Sequence, residues 1–338
     1  MTVSVIITCY NLEKYIEPAI LSVLNQTRTP DEIIVVDDCS TDASANVIQK
    51  YSDRLCYLRL PENSGVLQAT LAGINKSTGS VISFLDGDDV WLPQKLAEVM
   101  SVFEKDEKVV LVSHNYEIID SDGKPTGQTD STQKNLERIT KDNPDKVTLS
   151  NRVKDSILGY KGIWLGSAYC FRRAGFDVKA FEAFLSSFTI PGFKRLCYQD
   201  HPMAQFIVLT NPPDSLAYLV NKVLFQYRIF GLNSSGVSNT LNSALKTIEK
   251  GSANMAATSA LVDRYPHLKE AQNIQKWRKM EFEYLKALYT KNYKKAVSTF
   301  MQLSLNSWDF NRKVKEFKRL GGVILLGPEK FLAVKSRS

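Results

Sequence analysis

The sequence predicts an α/β fold in which a mostly parallel sheet is flanked by helices and followed by a helical C-terminal region. Over the first 120 residues, short apolar runs rich in valine and isoleucine alternate with segments whose apolar residues recur at helical spacing. Acidic residues follow two of the apolar runs, and beyond Gly236 only helical patterns occur. Strands alternating with helices of this length are typical of a parallel sheet. We therefore predict one domain over residues 1–235 and a helical region over residues 236–338.

The first two strand–helix pairs show the alternation. Each strand is an unbroken apolar, β-branched run, and each helix repeats its apolar residues three or four positions apart. Ser40 or Thr41 is available as the N-cap of the second helix, because a hydroxyl accepts hydrogen bonds from the free amides at a helix start. The four elements are predicted at residues 3–10 (strand), 13–27 (helix), 31–38 (strand) and 41–53 (helix).

The same reasoning predicts the later elements. Asp122-Gly123 is a typical turn pair, so a turn is expected there. The polar stretch 126–151 is either a loop over a site or a segment without fixed structure. The remaining strands are predicted at residues 55–61, 79–89 and 108–120 and, as a pair, within 216–230. The remaining helices are predicted at 65–77, 92–106, 241–251, 254–266 and 275–305, with a further apolar helix directly after Asp200 and His201.

Composition and cysteine spacing narrow the class of protein. The chain has 338 residues, 43% hydrophobic and 23% charged, which is ordinary for a globular protein and argues against wholesale disorder. The five cysteines stand singly, without the spacing of a zinc site or a disulfide framework, which suits a reducing compartment. The opening MTVSVIITCYN is typical of a strand and not of a signal peptide, and no run approaches the roughly 18 apolar residues that span a bilayer. These observations predict a cytoplasmic protein.

The positive charge is concentrated at the C-terminal end. Residues 312–338 contain eight basic and two acidic residues, a net charge of +6, against +7 for the whole chain. The stretch GGVILLGPEKFLAV lies among these basic residues, which favours peripheral contact with the inner face of a membrane over nucleic-acid binding. A solvated helix face followed by a frayed end is the alternative interpretation.

Acidic residues cluster where two predicted strands end. Asp37 and Asp38 end the second strand, and Asp86, Asp88 and Asp89 end the fourth. Because ligands of parallel sheets bind beyond the carboxyl ends of the strands, both clusters are expected to face one crevice. Carboxylates without nearby histidine or cysteine suit hard cations such as Mg²⁺ or Mn²⁺. A divalent ion would also relieve the repulsion among the three carboxylates of DGDD.

Several stretches together carry a resemblance to a known family. They are, in chain order, "SVIITCYNLEKYIEPAILSVLNQT", "EIIVVDDCSTD", "NSGV" with "AGINKSTGSVISFLDGDDVWLP", and "YQD". They resemble the family 2 inverting glycosyltransferases of the GT-A fold, a Rossmann-like mixed sheet, over residues 2–235. The resemblance implies a nucleotide-sugar donor and a divalent metal at a DXD motif, here Asp86-Gly87-Asp88.

The resemblance also implies a role for each matching residue. Asp38 is expected to hydrogen-bond the nucleotide base, Asp86 to face the ribose, and Asp88 to bind the metal that holds the donor diphosphate. Asp89 is expected to cap a helix or support the metal site. Asp200 matches the catalytic base that takes the proton of the acceptor hydroxyl, and a helix N-cap is its alternative role. The other implied site residues are Thr8, Tyr10, Asn11, Glu13 and Gly65 for the nucleotide, and Trp164, Gly166 and Ser167 beside the acceptor.

The sequence departs from the family pattern in three places. Gln199 stands where the family often has a second acid beside the base, and Thr70-Leu71 stand where it frequently has Arg-Asn. Phe230 replaces a late histidine that would contact the metal or the diphosphate. The candidates for that contact are instead Arg228 and His201.

The predicted function is a metal-dependent inverting transfer of a hexose or N-acetylhexosamine. A UDP-sugar is the favoured donor, and the acceptor is a hydroxyl of a saccharide or lipid-linked molecule, as in bacterial surface polysaccharide synthesis. A receiver-type signalling module is disfavoured because the third strand ends in RLPENSG, without a phosphate-accepting aspartate. A nucleotidyltransferase is disfavoured because TCYNLEKY has no glycine-rich loop. A catalytically inactive nucleotide- or sugar-binding relative stays an alternative.

Overall fold

The computed structural model describes residues 1–130, 133–134, 165–212, 214–230 and 240–335. The chain divides into two compact units, Met1–Phe230 and Gly231–Ser338. In the described residues, the first unit contains strands and helices, and the second contains helices alone. No described helix is both long enough and apolar enough to cross a bilayer.

A mixed sheet of eight strands lies at the centre of the described part of the first unit. Its strands are β1 (Val3–Cys9), β2 (Glu32–Asp37), β3 (Cys56–Arg59), β4 (Val81–Asp86), β5 (Val90–Trp91), β6 (Val109–Ile119), β7 (Cys170–Arg172) and β8 (Leu216–Arg228). Their order across the sheet is β3-β2-β1-β4-β7-β6-β8-β5. Strands β1 to β4 are parallel to one another, and β6 is parallel to β8. Strand β7 runs antiparallel between β4 and β6, and β5 runs antiparallel to β8.

Helices pack against this sheet and bury its apolar strands. They are α1 (Ile16–Leu24), α2 (Ser44–Gln49), α3 (Val66–Lys76), α4 (Lys95–Lys105), α5 (Val178–Ser186), α6 (Phe193–Leu196) and α7 (Asp200–Thr210). Every residue of β1 is buried, as expected for a strand covered on both faces. Ile7 and Val35 from neighbouring strands share one buried cluster with Ile20 of α1 and Val99 of α4. The predicted fold class, a mostly parallel sheet with flanking helices and a C-terminal helical region, is confirmed.

Two local predictions in the first unit are wrong. Residues 216–230 do not form a pair of strands, because β8 continues through 13 residues. Helix α2 is not capped by Ser40 or Thr41. Its first amides are satisfied by carboxylates, since the Ala43 and Ser44 backbone amides donate to Glu13 Oε2 and Asp42 Oδ1, each at 3.0 Å.

The predicted turn at Asp122-Gly123 is confirmed. The Gly123 backbone amide donates to the Asp120 carbonyl at 3.1 Å, and Gly123 has a φ of 83°, which glycine adopts without strain. The polar stretch that follows is described at residues 126–130 and 133–134, and the rest of it, to residue 151, lies outside the described residues.

The second unit is a bundle of helices around its own apolar core. Its described helices are α8 (Leu241–Val262), α9 (Lys269–Tyr289), α10 (Tyr293–Asn306), α11 (Phe310–Leu326) and α12 (Pro328–Lys335). Leu288, Phe300, Trp308 and Leu320 belong to one buried cluster. The predicted helices 241–251 and 254–266 are in fact one helix. The predicted helix 275–305 is broken into α9 and α10 at Lys291, whose φ is 63°.

Candidate active site

The pairing of parallel strands brings the acidic residues to one edge of the sheet. Cys9 at the end of β1 is in register with Asp37 of β2, and Thr8 is in register with Asp86 at the end of β4. This register places the carboxyl ends of β2 and β4, which carry the two acidic clusters, at the same edge of the sheet. The described geometry of the candidate site lies entirely in the first unit.

The turn after β4 is held tightly against β1. The Gly87 backbone amide donates to the Thr8 carbonyl at 2.9 Å, and the Asp89 amide donates to the Asp86 carbonyl at 2.9 Å. A Cβ atom built on Gly87 would lie 2.7 Å from the Thr8 carbonyl oxygen. Glycine is therefore required at position 87 for this close approach of two backbones.

Asp89 is buried and joins the turn after β4 to distant parts of the chain by hydrogen bonds. Its side chain is 1% exposed. It accepts hydrogen bonds from Ser167 Oγ at 2.6 Å and from the Arg228 backbone amide at 2.9 Å. Helix α4 begins after Gln94 without a side-chain cap, so the expected helix-capping role of Asp89 is wrong. Burial raises the pKa of Asp89 well above its ordinary value, and the neighbouring charges of Asp88 and Asp86 add to this effect.

Asp86 and Asp88 form a pair of neighbouring carboxyl groups. Asp86 Oδ1 accepts hydrogen bonds from Thr8 Oγ1 at 3.2 Å and from Gln199 Nε2 at 3.3 Å. Burial raises the pKa of Asp86 in spite of these two donors. Burial, and then the charge of Asp86, raise the pKa of Asp88 to about 7, against a lowering contribution from Arg228. A cation bound at these oxygens would favour their ionised forms.

Asp200 is brought to the same place by helix α7. A Cβ atom built on Gly166 would lie 3.2 Å from Asp200 Oδ1 and 3.3 Å from Asp86 Oδ2, and it would overlap the side-chain amide of Gln199. The two carboxylates therefore flank one glycine that has no room for a side chain. Asp200 is the first residue of the helix, after Gln199, and no side-chain cap is present, so the alternative N-cap role is wrong.

The Asp200 carboxyl group is incompletely satisfied. Its Oδ1 is buried and has no hydrogen-bond partner among the described residues. Burial raises the pKa of Asp200 well above its ordinary value, and the charge of Asp86 raises it further, while a hydrogen bond from the Gly166 backbone lowers it. Buried polar atoms without partners are uncommon and cluster at functional sites.

Asp38 and Asp37 have different surroundings although they are adjacent. Asp38 accepts the backbone amides of Ser64 and Gly65 at 2.7 and 2.8 Å, which fixes the turn before α3. Asp37 is fully buried and accepts hydrogen bonds from Tyr57, at 2.8 Å, and from Arg59, at 3.0 Å, so it ties β2 to β3. Asp38 is therefore the acid of this pair that lies next to the glycine turn.

The residues predicted to line the nucleotide pocket after β1 divide into two groups. Thr8 contacts Asp86, and Tyr10 is 44% exposed at the sheet edge. Asn11, with a φ of 54°, accepts the Thr41 backbone amide at 2.8 Å, and Glu13 Oε2 accepts the Ala43 amide. Asn11 and Glu13 thus hold the loop that follows β2.

Arg228, at the end of β8, is buried beside the DGDD turn. It is 4% exposed, and its Nε donates to the Asp88 carbonyl at 2.8 Å while its Nη1 donates to the Asp120 carbonyl at 3.1 Å. The guanidinium lies 4.9 Å from the centre of the Tyr15 ring, which itself stacks obliquely on Phe230 at 4.6 Å. Arg228 therefore supports the DGDD turn through backbone carbonyls.

His201 and Trp164 are the two remaining predicted site residues. His201 is the second residue of α7 and is partly buried. Trp164 lies outside the described residues.

Lys95 is a site-supporting residue that the sequence reasoning missed. It is completely buried, and its Nζ donates to the Ser167 carbonyl at 2.9 Å and to Ser83 Oγ at 3.2 Å. The ammonium lies 3.4 Å from the centre of the Trp91 ring. Burial lowers the pKa of Lys95 to about 7. A lysine four residues before Val99, on the apolar face of α4, was the available sequence signal.

The oxygen ligands present fit a hard divalent cation. Among the described residues, no group of three or more His, Cys, Asp or Glu side chains is arranged as a metal site. Mg²⁺ and Mn²⁺ sites that serve nucleotide diphosphates need only one or two carboxylates, because water and phosphate oxygens complete the coordination. Asp88, beside Asp86, supplies such a partial ligand set.

Known sequences resemble the part of the chain that contains β1 to β6 and the DGDD motif. The family model described as Glycosyl transferase family 2 matches residues 4–164. An uncharacterized glycosyltransferase of Nostoc sp. is 43% identical over 136 residues, which is 39% of this chain and 42% of the relative. The putative teichuronic acid biosynthesis glycosyltransferase TuaG of Bacillus subtilis is 32% identical over 160 residues, or 46% and 59%. The matches thus span about half the length of each relative.

Solved structures agree on the fold. The structure of Staphylococcus aureus TarS 1–349 in complex with UDP-GlcNAc matches with a TM-score of 0.52 at 18% identity and covers 88% of this chain and 89% of that one. The mannosyltransferase PcManGT from Pyrobaculum calidifontis, in complex with GDP-Man and Mn²⁺, matches with a TM-score of 0.54 at 15% identity, over 98% and 83%. At these identities the likeness is evidence for the fold alone. Residues 4–164 are therefore similar to glycosyl transferase family 2, and the chain shares the GT-A fold of these solved structures.

Proposed function

We propose that this chain transfers a sugar from a nucleotide-diphosphate donor to an acceptor hydroxyl with inversion at the anomeric carbon. The observation that carries the proposal is the buried, incompletely satisfied Asp200 carboxyl, which shares the space around Gly166 with Asp86. An inverting displacement needs one base at the acceptor hydroxyl and charge stabilisation at the leaving diphosphate. Asp200 would be that base, and a cation held by Asp88 beside Asp86 would stabilise the diphosphate.

Each residue has a definite task in this proposal. Asp200 accepts the proton of the acceptor hydroxyl, and burial, which raises its pKa, makes the ionised carboxylate a stronger proton acceptor. Asp38 holds the Gly65 turn against which the nucleotide base would bind. Asp88, with Asp86 beside it, would hold Mg²⁺ or Mn²⁺, which stabilises the negative charge of the diphosphate when it is bound.

We further infer the classes of donor and acceptor. A UDP-sugar carrying a hexose or an N-acetylhexosamine is the favoured donor, supported by the UDP-GlcNAc complex of TarS, whose fold this chain shares. A saccharide or lipid-linked acceptor at the inner face of the membrane is favoured, supported by the relative named for teichuronic acid biosynthesis. The chain would then act in the synthesis of a bacterial surface polysaccharide.

A panel of nucleotide sugars with purified protein and Mn²⁺ tests the proposal, with released nucleotide as the readout. Asp200→Asn should lower kcat by about 10²- to 10⁴-fold while calorimetry shows unchanged donor binding. Asp88→Asn should weaken Mn²⁺-dependent donor binding. Asp53→Asn, at an exposed carboxylate in the first unit, is the matched control and should leave both quantities unchanged.

Three outcomes would contradict parts of the proposal. Full activity of Asp88→Asn would refute the metal assignment. Donor binding without turnover on any acceptor would favour a catalytically inactive nucleotide- or sugar-binding relative. Retention of the donor's anomeric configuration, read by NMR of the product, would exclude a single inverting displacement.

A further inference from the structure

Helix α11 has two apolar faces. One is buried in the core of its own unit, and the other is exposed. Leu320 and Val323 are buried with Glu316 on the inner face. Five of the six exposed large apolar side chains of α11, all except Leu326, recur at i, i+4, i+7, i+14 and i+15, which places them on one side of a helix with 3.6 residues per turn. They are Phe310 (76% exposed), Val314 (38%), Phe317 (67%), Ile324 (42%) and Leu325 (84%).

Helix α10 adds a second exposed row of the same kind. Val297, Met301 and Leu305 recur every four residues and are 42%, 52% and 78% exposed. The two helices are packed together, with the ring centres of Phe300 and Phe317 6.2 Å apart. We name the exposed apolar residues of α10 and α11 the apolar stripe. Exposed apolar surface of this extent is typical of a protein or membrane interaction site.

Positive charge accompanies the apolar stripe. Lys315 and Lys318 of α11 and Lys330 of α12 are exposed. The acid of α11 does not offset them at the surface, because Glu316 is 1% exposed and its carboxylate pairs with Arg319 at 2.9 Å. Exposed phenylalanine and leucine beside lysine describe a helix that lies in the interface of a bilayer with anionic headgroups.

Charge also decides between the candidate occupants of this surface. A second copy of the chain would bring two surfaces of the same positive charge together, which is repulsive. Nucleic acid would be attracted by the lysines but has no use for a row of exposed phenylalanine and leucine. An anionic lipid surface satisfies both the charge and the apolar side chains.

We propose that the apolar stripe docks this chain on an anionic membrane, with helices α10 and α11 lying along its surface. Phe317 and Leu325 enter the boundary between headgroups and acyl chains, and Lys315 and Lys318 contact the lipid phosphates. This inference rests on the second unit alone and does not depend on the sugar-transfer proposal. Measured membrane binding tests it, whichever donor or acceptor the first unit uses.

Sedimentation of the full chain with vesicles tests the docking surface. The chain should bind vesicles of phosphatidylcholine containing about 30% phosphatidylglycerol, and it should bind pure phosphatidylcholine vesicles at least about tenfold more weakly. The double variant Phe317→Ser/Leu325→Ser should lose at least about tenfold in binding to the anionic vesicles. Lys315→Gln/Lys318→Gln should lose binding most strongly at low salt, where charge attraction is least screened.

Ile190→Ser is the matched control, since Ile190 is 42% exposed in the first unit and should not affect binding. Circular dichroism of each variant should match that of the parent chain, because the substituted side chains are exposed. Equal binding of the parent chain to neutral and anionic vesicles would overturn the proposal. Unchanged vesicle binding of the Phe317→Ser/Leu325→Ser variant would also overturn it, as would a dimer of the parent chain that dissociates in this variant.

Discussion

The carboxyl groups at the sheet edge differ in how far the protein itself satisfies them. Asp89 has two hydrogen-bond donors, Ser167 and the Arg228 amide, and serves to join the β4–β5 turn to distant parts of the chain. Asp200 has a buried oxygen without a partner among the described residues. Asp88 has a pKa raised to about 7 by burial and by its neighbour Asp86. A ligand at this edge would therefore interact with Asp200 and Asp88 rather than with Asp89.

Gln199 gives a physical reason for one departure from the family pattern. Its side-chain amide donates to Asp86 at 3.3 Å, and the residue is 3% exposed. A glutamate in its place would add another carboxylate beside Asp86 and remove a hydrogen-bond donor to it. We interpret the amide as limiting the negative charge that the bound ligand must balance.

Lys95 predicts a pH dependence of stability. Its pKa is about 7 in the folded chain and 10.5 ordinarily, so between these values the unfolded chain binds more protons and the stability of the parent chain rises with pH. Lys95→Met removes this dependence. Relative to the parent, the variant should gain at least about 1 kcal/mol of unfolding free energy as the pH is lowered from 10 to 7.

Urea unfolding at the two pH values measures this difference. Lys105→Met is the matched control, because Lys105 lies exposed in the last turn of the same helix. A pH-independent difference between Lys95→Met and the parent would show that the buried ammonium is not desolvated as the structure indicates.

At the level of elements, the sequence predicted the buried strands, because their apolar pattern is local. The β-branched runs gave β1, β2 and β4 with their ends near the acidic residues, because a buried strand needs apolar residues throughout. Helix boundaries in the second unit were missed. The break at Lys291 requires a positive φ at a residue that rarely adopts it, and the Asn292 side chain then caps α10 by accepting the Lys295 amide.

The turn before α3 can be tested by substitution. Gly65 has a φ of 90°, and a Cβ atom built on it would lie 2.7 Å from the Arg195 carbonyl oxygen. Gly65→Ala should therefore lower the unfolding free energy by about 1–3 kcal/mol, because backbone strain and a backbone clash add together. It should also weaken UDP binding, since the Gly65 amide positions Asp38.

Gly127→Ala separates the two contributions. Gly127 has a φ of 66° with no atom within 4 Å of a built Cβ, so this variant carries the strain without the clash. Denaturant unfolding and calorimetry with UDP should show a smaller stability loss, of about 1 kcal/mol, and unchanged binding. Equal losses in the two variants would rule out the clash with Arg195 as a cause.

At the scale of the whole molecule, strand topology predicted that the acidic residues of β2 and β4 share one crevice. It could not predict that Asp200 lies close to Asp86. Parallel topology alone brings Asp38, Asp86 and Asp88 to one edge. The approach of Asp200 to Asp86 depends on the antiparallel insertion of β7 and on the placement of α7, and no local pattern encodes contacts between residues so far apart in the chain. The family resemblance, and not the spacing of residues, supplied that part of the site.

The concentration of the candidate site in the first unit predicts where a donor will protect the chain. With UDP and Mn²⁺, amide hydrogen exchange should slow in residues 62–69 and 81–91, because ligand binding suppresses local opening. Exchange in residues 241–335 should be unchanged. Protection confined to the second unit would place the nucleotide elsewhere, and the Asp88→Asn variant should abolish the Mn²⁺-dependent part.

The contacts of Arg228 show how much of the chain is needed to hold the DGDD turn. The family model ends at residue 164, whereas Asp89 is held by Ser167 and by the Arg228 amide, and Asp88 is held through its carbonyl by the Arg228 side chain. A fragment cut at the end of the matched region would retain the DGDD motif but lose the groups that fix its conformation. The smallest piece that preserves these contacts extends through β8, so the recognisable motif is shorter than the stretch of chain that fixes its conformation.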